Sequence, residues 1–212
     1  MNDPQPSEVP RSPELLSSDR SVLLIVDLQE KLTPVIAGGT QLIESSCFLL
    51  QVARVLQVPT LISEQYPTGL GTTVPPLLDV ADDARVFEKL RFSAAADFME
   101  QVRGDTRLQS RRQIVLAGIE AHICVAQTAL DLMALGYHVS VARDAIGSRH
   151  DIDLVTAERR LRDSGVSMTT VESIAFEWCE VAGTEAFRKI SRLVRDREDG
   201  RKASETPTES SV

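Results

Sequence analysis

Cysteine is scarce in this chain, and its distribution excludes two kinds of site. The 212 residues include three cysteines, namely Cys47, Cys124 and Cys179. They are odd in number and far apart, and none belongs to a Cys-x-x-Cys pair, so neither a disulfide framework nor a thiolate zinc site is indicated. Free thiols are typical of a reducing compartment, and we predict a cytoplasmic protein.

A strongly basic surface and a long apolar run are also missing. The formal net charge is -8, the isoelectric point is near 5.0, and no dense basic stretch contains interleaved aromatic residues. These features argue against a nucleic-acid-binding protein. No apolar run approaches the roughly 20 residues of a membrane span, and the proline-containing N-terminal segment lacks the apolar core of a secretory signal. We therefore expect neither nucleic acid nor a membrane as a partner.

The apolar residues that are present suffice for one substantial domain. Hydrophobic residues make up 42% of the chain, and no proline- or serine-rich linker or internal repeat divides it. Residues 1–14 are rich in proline and polar groups, and residues 198–212 have almost nothing to bury. Both ends are therefore predicted to be disordered tails around a domain at residues 15–197.

Strand-like and helix-like patterns alternate along this domain. Residues 21–26 are apolar on both faces, as a central parallel strand requires. This alternation predicts an α/β protein, with a three-layer α/β/α, Rossmann-like fold and a six-stranded, mostly parallel sheet. The predicted strands are residues 21–26, 58–63, 85–88, 113–117, 137–142 and 166–171, and the predicted helices are residues 41–56, 94–102, 122–135, 153–163 and 183–195.

Cys124 occupies a position that favours chemistry. The apolar run 113–117 is followed by Gly118, and a helical pattern then begins close to Cys124. A strand that turns into a helix in this way places the first helical side chains at the carboxyl edge of the sheet, where open α/β sheets bind ligands. The free amides of a first helical turn favour an anion, so we predict a depressed thiol pKa. The alternative interpretation of a lone cysteine is a small core residue.

Two charged residues at the ends of other predicted strands complete a possible catalytic set. Asp27 ends the first strand and Lys89 follows the third, so both would converge with Cys124 if those strands are neighbours. A carboxylate could take the thiol proton, an ammonium could stabilise the thiolate, and backbone amides before Cys124 could hold an oxyanion. The structural alternatives are a helix cap for Asp27 and a solvated charge for Lys89.

Three segments around these residues resemble the isochorismatase-like cysteine hydrolases, a superfamily that also includes nicotinamidases and N-carbamoylsarcosine amidases. The resemblance covers about residues 15–195, and residues 63–71 and 127–132 are similar to the branch called isochorismatase domain-containing proteins. Each segment carries its reactive residue in the expected order. The segments are Leu24-Ile25-Val26-Asp27-Leu28-Gln29, Glu88-Lys89-Leu90-Arg91-Phe92-Ser93 and Gly118-Ile119-Glu120-Ala121-His122-Ile123-Cys124-Val125.

The resemblance implies a role for individual residues. Asp27 is implied to be the general acid/base, Lys89 its charge partner and Cys124 the nucleophile. A non-proline cis peptide between Ile119 and Glu120 is also implied, with the amides of Glu120 and Cys124 as oxyanion donors. Self-association into a homo-oligomer is a further implication.

Two departures from the family narrow the expected chemistry. Metal-binding nicotinamidases carry an aspartate and a histidine just after the second strand, where this chain has Ser63-Glu64-Gln65-Tyr66. We therefore expect no metal and no other cofactor. Isochorismate-cleaving members hydrolyse a vinyl ether and need no thiol, so the cysteine favours an acyl-enzyme route on a small amide, imide or carbamoyl substrate.

Loops near these residues supply candidate substrate contacts. Gln29 is interpreted as orienting Asp27 or a polar group of the substrate. His122 is not expected to pair with Cys124, because residues two apart on a helix face different ways. The alternative function is a catalytically idle protein that binds a partner or forms an oligomeric scaffold. The candidate substrate contacts are Gln29, Leu32, Glu64, Tyr66, Phe92 and Ile123.

Overall fold

Six parallel strands form the centre of the computed structural model, which describes residues 10–82 and 84–205. The strands are β1 (Ser21–Val26), β2 (Thr60–Gln65), β3 (Arg85–Lys89), β4 (Gln113–Ile119), β5 (His138–Gly147) and β6 (Ser167–Thr169). Their order in the sheet is β3-β2-β1-β4-β5-β6, and every neighbouring pair is parallel. The predicted α/β fold with a six-stranded parallel sheet is confirmed.

Helices cover both faces of this sheet. They are α1 (Gly39–Val55), α2 (Pro67–Leu70), α3 (Pro75–Leu78), α4 (Ala95–Gly104), α5 (Thr106–Gln109), α6 (Ala126–Ala134), α7 (Asp151–Asp163), α8 (Val171–Cys179) and α9 (Glu185–Glu205). Helices α1, α8 and α9 pack on one face, and α4, α6 and α7 pack on the other. No helix within residues 10–82 and 84–205 is both long and apolar enough to cross a lipid bilayer.

The two cores meet at β1, whose six residues are all buried. Leu23 and Ile25 belong to the core under α1, whereas Leu24 and Val26 belong to the core under α4 and α6. Since each buried apolar side chain contributes about 1.5–3 kcal/mol, the both-sided apolar run of β1 stabilises the centre of the sheet. Strand β1 lies at the centre of the sheet because its side chains can be buried on both faces.

The chain reverses its winding direction between β1 and β4. It moves outward from β1 through β2 to β3, then returns to β4 beside β1 and continues through β5 to β6. The carboxyl ends of β1 and β4 therefore flank the switch point where doubly wound sheets leave a crevice.

The largest error in the predicted elements lies after β6. Residues 166–171 were predicted to form one strand, but β6 is limited to Ser167–Thr169, and Val171 already begins α8, a helix that was not predicted. The boundary is set by Thr170, whose side chain accepts a hydrogen bond from the Ser173 amide and caps the helix.

The predicted tails also need correction where the structure describes them. Helix α9 continues to Glu205, so the helix extends past residue 197. At the other end, Arg11 donates to the Glu177 carbonyl and forms an ion pair with Glu180 at 2.7 Å, which attaches this segment to α8. The rest of the predicted tails, residues 1–9 and 206–212, lies outside the described residues.

Candidate active site

Asp27, Lys89 and Cys124 come together at the carboxyl edge of the sheet, as their positions in the sequence predict. Asp27 follows β1, Lys89 ends β3, and Cys124 lies in the turn after β4. The Lys89 Nζ is 2.7 Å from the Asp27 Oδ2, and the Cys124 thiol interacts with both groups. All three residues are buried, with 1%, 2% and 6% of their surface exposed. A thiol, a carboxylate and an ammonium therefore share one poorly solvated space.

Asp27 is held by its backbone and by a serine of β2. Its φ of 56° lies in the left-handed region, which non-glycine residues seldom adopt. The Asp27 amide donates to the Ser63 carbonyl at 3.1 Å, and the Ser63 hydroxyl donates to the Asp27 Oδ1 at 2.7 Å. Burial raises the pKa of the Asp27 carboxyl, and the Lys89 charge opposes that shift. Asp27 is thus a carboxylate that can take up a proton more readily than an exposed one.

Lys89 is fixed by several acceptors besides Asp27. Its Nζ donates to the Gln65 Oε1 at 2.6 Å, to the Phe92 carbonyl at 2.9 Å and to the Arg91 carbonyl at 3.2 Å. Because an ammonium has three protons, these acceptors and the carboxylate account for all of them. The positive charge is therefore held at one point beside the sulfur.

Cys124 lies on a π-helical turn, Ala121–Val125, that connects β4 to α6. Burial raises the pKa of its thiol to about 12, and the negative charge of Asp27 adds to that increase while Lys89 opposes it. The predicted depression of the pKa is therefore wrong. The reason is that the sulfur is desolvated, and the ammonium that would stabilise a thiolate is already paired with Asp27.

The turn before Cys124 is built differently from what the resemblance implies. The bond between Ile119 and Glu120 is trans, as are all peptide bonds within residues 10–82 and 84–205. The expected cis peptide is thus wrong. The chain reverses because Gly118 has a φ of 136° and Glu120 has a φ of 52°. Two unusual backbone conformations, one on each side of Ile119, redirect the chain from β4 into the π turn without a cis bond.

Comparison with known protein families shows which family this chain belongs to. The model of the isochorismatase domain matches residues 21–173, which include all three side chains of the site. The chain belongs to the isochorismatase family. Isochorismatase domain-containing protein 2A from Mus musculus is 38% identical over 178 residues, which cover 84% of either chain. The resemblance predicted from the sequence is confirmed.

Solved structures show the same isochorismatase fold. The structure of MAR1 ribonuclease from Caenorhabditis elegans has a TM-score of 0.80 and 34% identity, and the match covers 85% of this chain and 92% of that one. The YcaC gene product of Escherichia coli, described as an octameric hydrolase of unknown specificity, has a TM-score of 0.77 and 22% identity, covering 92% and 98%.

Two predicted substrate contacts have other roles in this isochorismatase-family chain. Gln29 is fully buried; its Nε2 donates to the Gln65 and Gly71 carbonyls, and its Oε1 accepts from the Gln65 amide. Glu64 Oε1 accepts from both the amide and the hydroxyl of Thr73. Gln29 and Glu64 therefore hold loops together, and the expectation that Gln29 orients Asp27 through its side chain is wrong, because its polar atoms are bonded elsewhere.

The remaining candidates lie around the edge of the site. Tyr66 and Phe92 are 52% and 55% exposed, and Leu32 and Ile123 are half-buried. A cavity of about 530 Å³ beside β3 is lined by Tyr66 together with Lys89. The Lys89 side chain itself is fully buried, so Tyr66 stays a prediction as a substrate contact, as do Leu32, Phe92 and Ile123.

Reasoning from the sequence missed Ser63 and Gln65, the two residues of β2 that bind the charged pair. Their side chains contact Asp27 and Lys89, whereas Glu64 between them binds Thr73. A signal is present in the sequence, because three polar residues directly follow the apolar Leu61 and Ile62 at the end of β2. Alternation along a strand would have separated Ser63 and Gln65 from Glu64.

No group of three or more His, Cys, Asp or Glu side chains in the described part of the chain is placed to hold a metal ion. At the position where metal-binding relatives are expected to carry ligands, Glu64 is bonded to Thr73 and Tyr66 offers a phenol. This donor set does not fit a zinc site, which typically uses imidazole, thiolate and carboxylate ligands.

Proposed function

We propose that this protein is a metal-independent cysteine hydrolase that cleaves a small amide, imide or carbamoyl compound through an acyl-enzyme. The observation that carries the proposal is the buried set of Cys124, Asp27 and Lys89, with the Lys89 Nζ 2.7 Å from the Asp27 Oδ2. A buried ion pair beside a buried thiol is costly to maintain for stability alone. Its arrangement is that of a nucleophile with its base and a charge partner.

The first half of the reaction uses the raised pKa values of both acids. As the Cys124 sulfur attacks the substrate carbonyl, its proton passes to the Asp27 carboxylate. Burial raises the pKa of Asp27, which makes the carboxyl competent to hold that proton. Asp27 then delivers the proton to the leaving nitrogen as the carbon–nitrogen bond breaks, and the acyl group stays on sulfur.

The second half returns the enzyme to its starting state. Asp27 takes a proton from water while the water oxygen attacks the thioester carbonyl. The carbon–sulfur bond breaks, the product leaves as a carboxylic acid or its equivalent, and the proton returns to the Cys124 sulfur. Lys89 remains an ammonium throughout, and its charge compensates each anionic stage.

We further propose that the amide of Glu120 holds the oxyanion, together with that of Cys124. Within residues 10–82 and 84–205, the Glu120 amide donates to no acceptor. A free backbone donor at the start of the turn that carries Cys124 supports this role, since such amides stabilise the negative oxygen of a tetrahedral intermediate.

We also propose a cellular location and an oligomeric state, and we propose that RNA is not the substrate. Three unpaired cysteines support a reducing, cytoplasmic location, and the octameric state of the Escherichia coli protein supports a homo-oligomer. Although the Caenorhabditis elegans relative is called a ribonuclease, a net charge of -8 opposes binding of a phosphate backbone. We infer a small-molecule substrate with neither RNA nor a membrane as a partner.

The test is hydrolysis of primary amides, cyclic imides and N-carbamoyl amino acids by the purified protein, measured as ammonia release or imide ring opening. We expect turnover with at least one class and a loss of at least about 10³-fold in Cys124→Ala. Cys179→Ala is the matched control, because this free thiol lies on α8, away from the charged pair, and it should retain full activity.

Two results would reject the proposal. A Cys124→Ala protein as active as the wild type would exclude the thiol as the nucleophile. A wild-type protein inactive on all three classes and on RNA would favour the second candidate function, an idle isochorismatase fold that acts as an oligomeric binding protein.

A further inference from the structure

A second cluster of charged side chains surrounds Glu120, outside the group formed by Asp27, Lys89 and Cys124. The Arg149 Nε lies 2.6 Å from the Glu120 Oε1, and the His122 Nδ1 lies 3.4 Å from the Glu120 Oε2. The Ser148 hydroxyl and the Asp153 carboxylate are 3.1 Å and 3.8 Å from the two nitrogens of His122. Segments after β4 and β5 thus meet at the Glu120 carboxylate, and the first turn of α7 contacts His122.

Glu120 has a conformation that its own backbone does not favour. Its φ of 52° and ψ of 61° are left-handed values, which a residue with a Cβ adopts only when its surroundings impose them. The Glu120 side chain is only 10% exposed, and its contacts include Arg149 and His122. The Glu120 carbonyl accepts from the Ile123 and Val125 amides at 2.8 Å and 3.4 Å, and the side-chain contacts add to these bonds in holding the Glu120 backbone.

We propose that Arg149, with the help of His122, is a positioning residue that fixes the Glu120 amide for oxyanion binding. This inference rests on the proposed function, because the amide matters only if a tetrahedral intermediate forms at Cys124. Arg149 lies on the chain after β5 and pulls the Glu120 carboxylate toward α7, which sets the direction of the amide on the same residue.

Arg143 and Glu158 form a closely matched ion pair that does not contact the turn before Cys124. The Arg143 Nε lies 2.6 Å from the Glu158 Oε1, and the two arginine side chains are exposed by 47% and 51% for Arg143 and Arg149. Glu158 belongs to the middle of α7, where its amide is part of a regular helix. Loss of either pair removes the same kind of contact, but only one of them touches the turn before Cys124.

The experiment compares Arg149→Met with Arg143→Met, using p-nitrophenyl acetate as the acyl donor. Methionine keeps an apolar stem and removes the charge. We expect kcat to fall about 10- to 100-fold in Arg149→Met, with KM within about twofold of the wild type, because a displaced donor weakens the transition state only. Arg143→Met should retain wild-type kcat and KM.

Alkylation of Cys124 by iodoacetamide at pH 9 separates positioning from damage to the site. This displacement of iodide forms no oxyanion, so its rate should be unchanged in Arg149→Met while acyl transfer falls. A parallel loss of alkylation and acyl transfer would mean general disruption and would overturn the inference. Should Arg149→Met fail to fold, Glu120→Gln supplies the same comparison, with the same expectation for kcat and for alkylation.

The outcomes also distinguish this inference from the proposed function. An active wild type with equal kcat in the two methionine variants would overturn the role of Arg149 and leave the hydrolase proposal standing. A wild type that releases no p-nitrophenol and hydrolyses no amide would overturn both.

Discussion

Individual side chains determine the pKa values at this site. The Cys124 thiol and the Asp27 carboxyl both have raised pKa values, because both are removed from water and the neighbouring cation, Lys89, is shared between them. With a pKa of about 12, the Cys124 sulfur is neutral at rest. In the mechanism that we propose, the thiolate is therefore formed when the substrate arrives, with Asp27 as its base.

The first prediction concerns the pH dependence of Cys124 alkylation in the free protein. With a thiol pKa raised to about 12, the iodoacetamide rate should be low at pH 7 and rise about tenfold per pH unit through pH 10. In the urea-unfolded protein, the rate at Cys124 should instead have its midpoint near pH 9 and level off above about pH 10. Fast labelling with a plateau near neutrality in the folded protein would contradict the neutral resting thiol.

The same shift has a consequence for stability. A group whose folded pKa is raised contributes its stabilisation fully below its unfolded pKa and loses it as the pH rises toward the folded value. For Cys124 that interval runs from about 9.0 to about 12. The free energy of unfolding should therefore decrease across alkaline pH.

Secondary-structure elements bring the reactive residues together through their ends. Asp27, Lys89 and Cys124 follow strands of one parallel sheet, and parallel strands end at the same edge. Strand β4 runs so close to β1 at Gly118 that an added Cβ would lie 2.1 Å from the Val26 carbonyl oxygen. The path of β4 into the turn that carries Cys124 thus requires glycine at position 118.

The second prediction concerns this close approach. Gly118→Ala should lower the free energy of unfolding by at least about 2–3 kcal/mol, because it combines a clash with a positive φ, and it should abolish turnover by displacing Glu120. Gly104→Ala is the control, since nothing lies within 4 Å of a Cβ there, and it should stabilise the protein by about 0.4–1 kcal/mol. Denaturant titration measures both, and equal stabilities would contradict the packing.

The extent to which the sequence predicts this site follows from the same geometry. The apolar runs of β1 and β4 identify strands buried on both faces, so the locations of Asp27 and Cys124 after them could be predicted. Lys89 ends the short, half-exposed β3, and its location rests on a weaker strand pattern. Alternation along β2 separates Ser63 and Gln65 from Glu64, but the sequence alone does not show which of these two faces of β2 meets the site. The thiol pKa was mispredicted because burial and charge sharing depend on the folded neighbourhood of Cys124.

At the scale of the whole molecule, helix α9 packs on α1 and α8. Within α9, the Arg197 Nη2 donates to the Ser45 Oγ at 2.8 Å and the Asp144 Oδ2 at 3.1 Å, and the guanidinium lies 5.1 Å from the Phe48 ring centroid. One side chain therefore joins the last helix, the first helix and β5, and most of that side chain is buried.

The third prediction concerns this junction. Arg197→Ala should lower the free energy of unfolding by about 2 kcal/mol, because it leaves Asp144 without its cation. Arg195→Ala, an exposed change on the same helix, should stay within about 0.5 kcal/mol of the wild type. Thermal unfolding measures both, and turnover should be unaffected in either. Equal melting temperatures would show that α9 is held by apolar packing alone.

The placement of Lys89 on β3 ties the charge state of the site to the edge of the sheet. Strand β3 has one strand neighbour, and alternate residues along it are exposed. Edge strands open more easily than central ones. If β3 detaches briefly, the ammonium leaves with it, and the buried Asp27 loses the charge that opposes its protonation. Local opening of the sheet edge at β3 would thereby allow Asp27 to become protonated and prevent it from acting as the proposed base, while β1 and β4 remain intact.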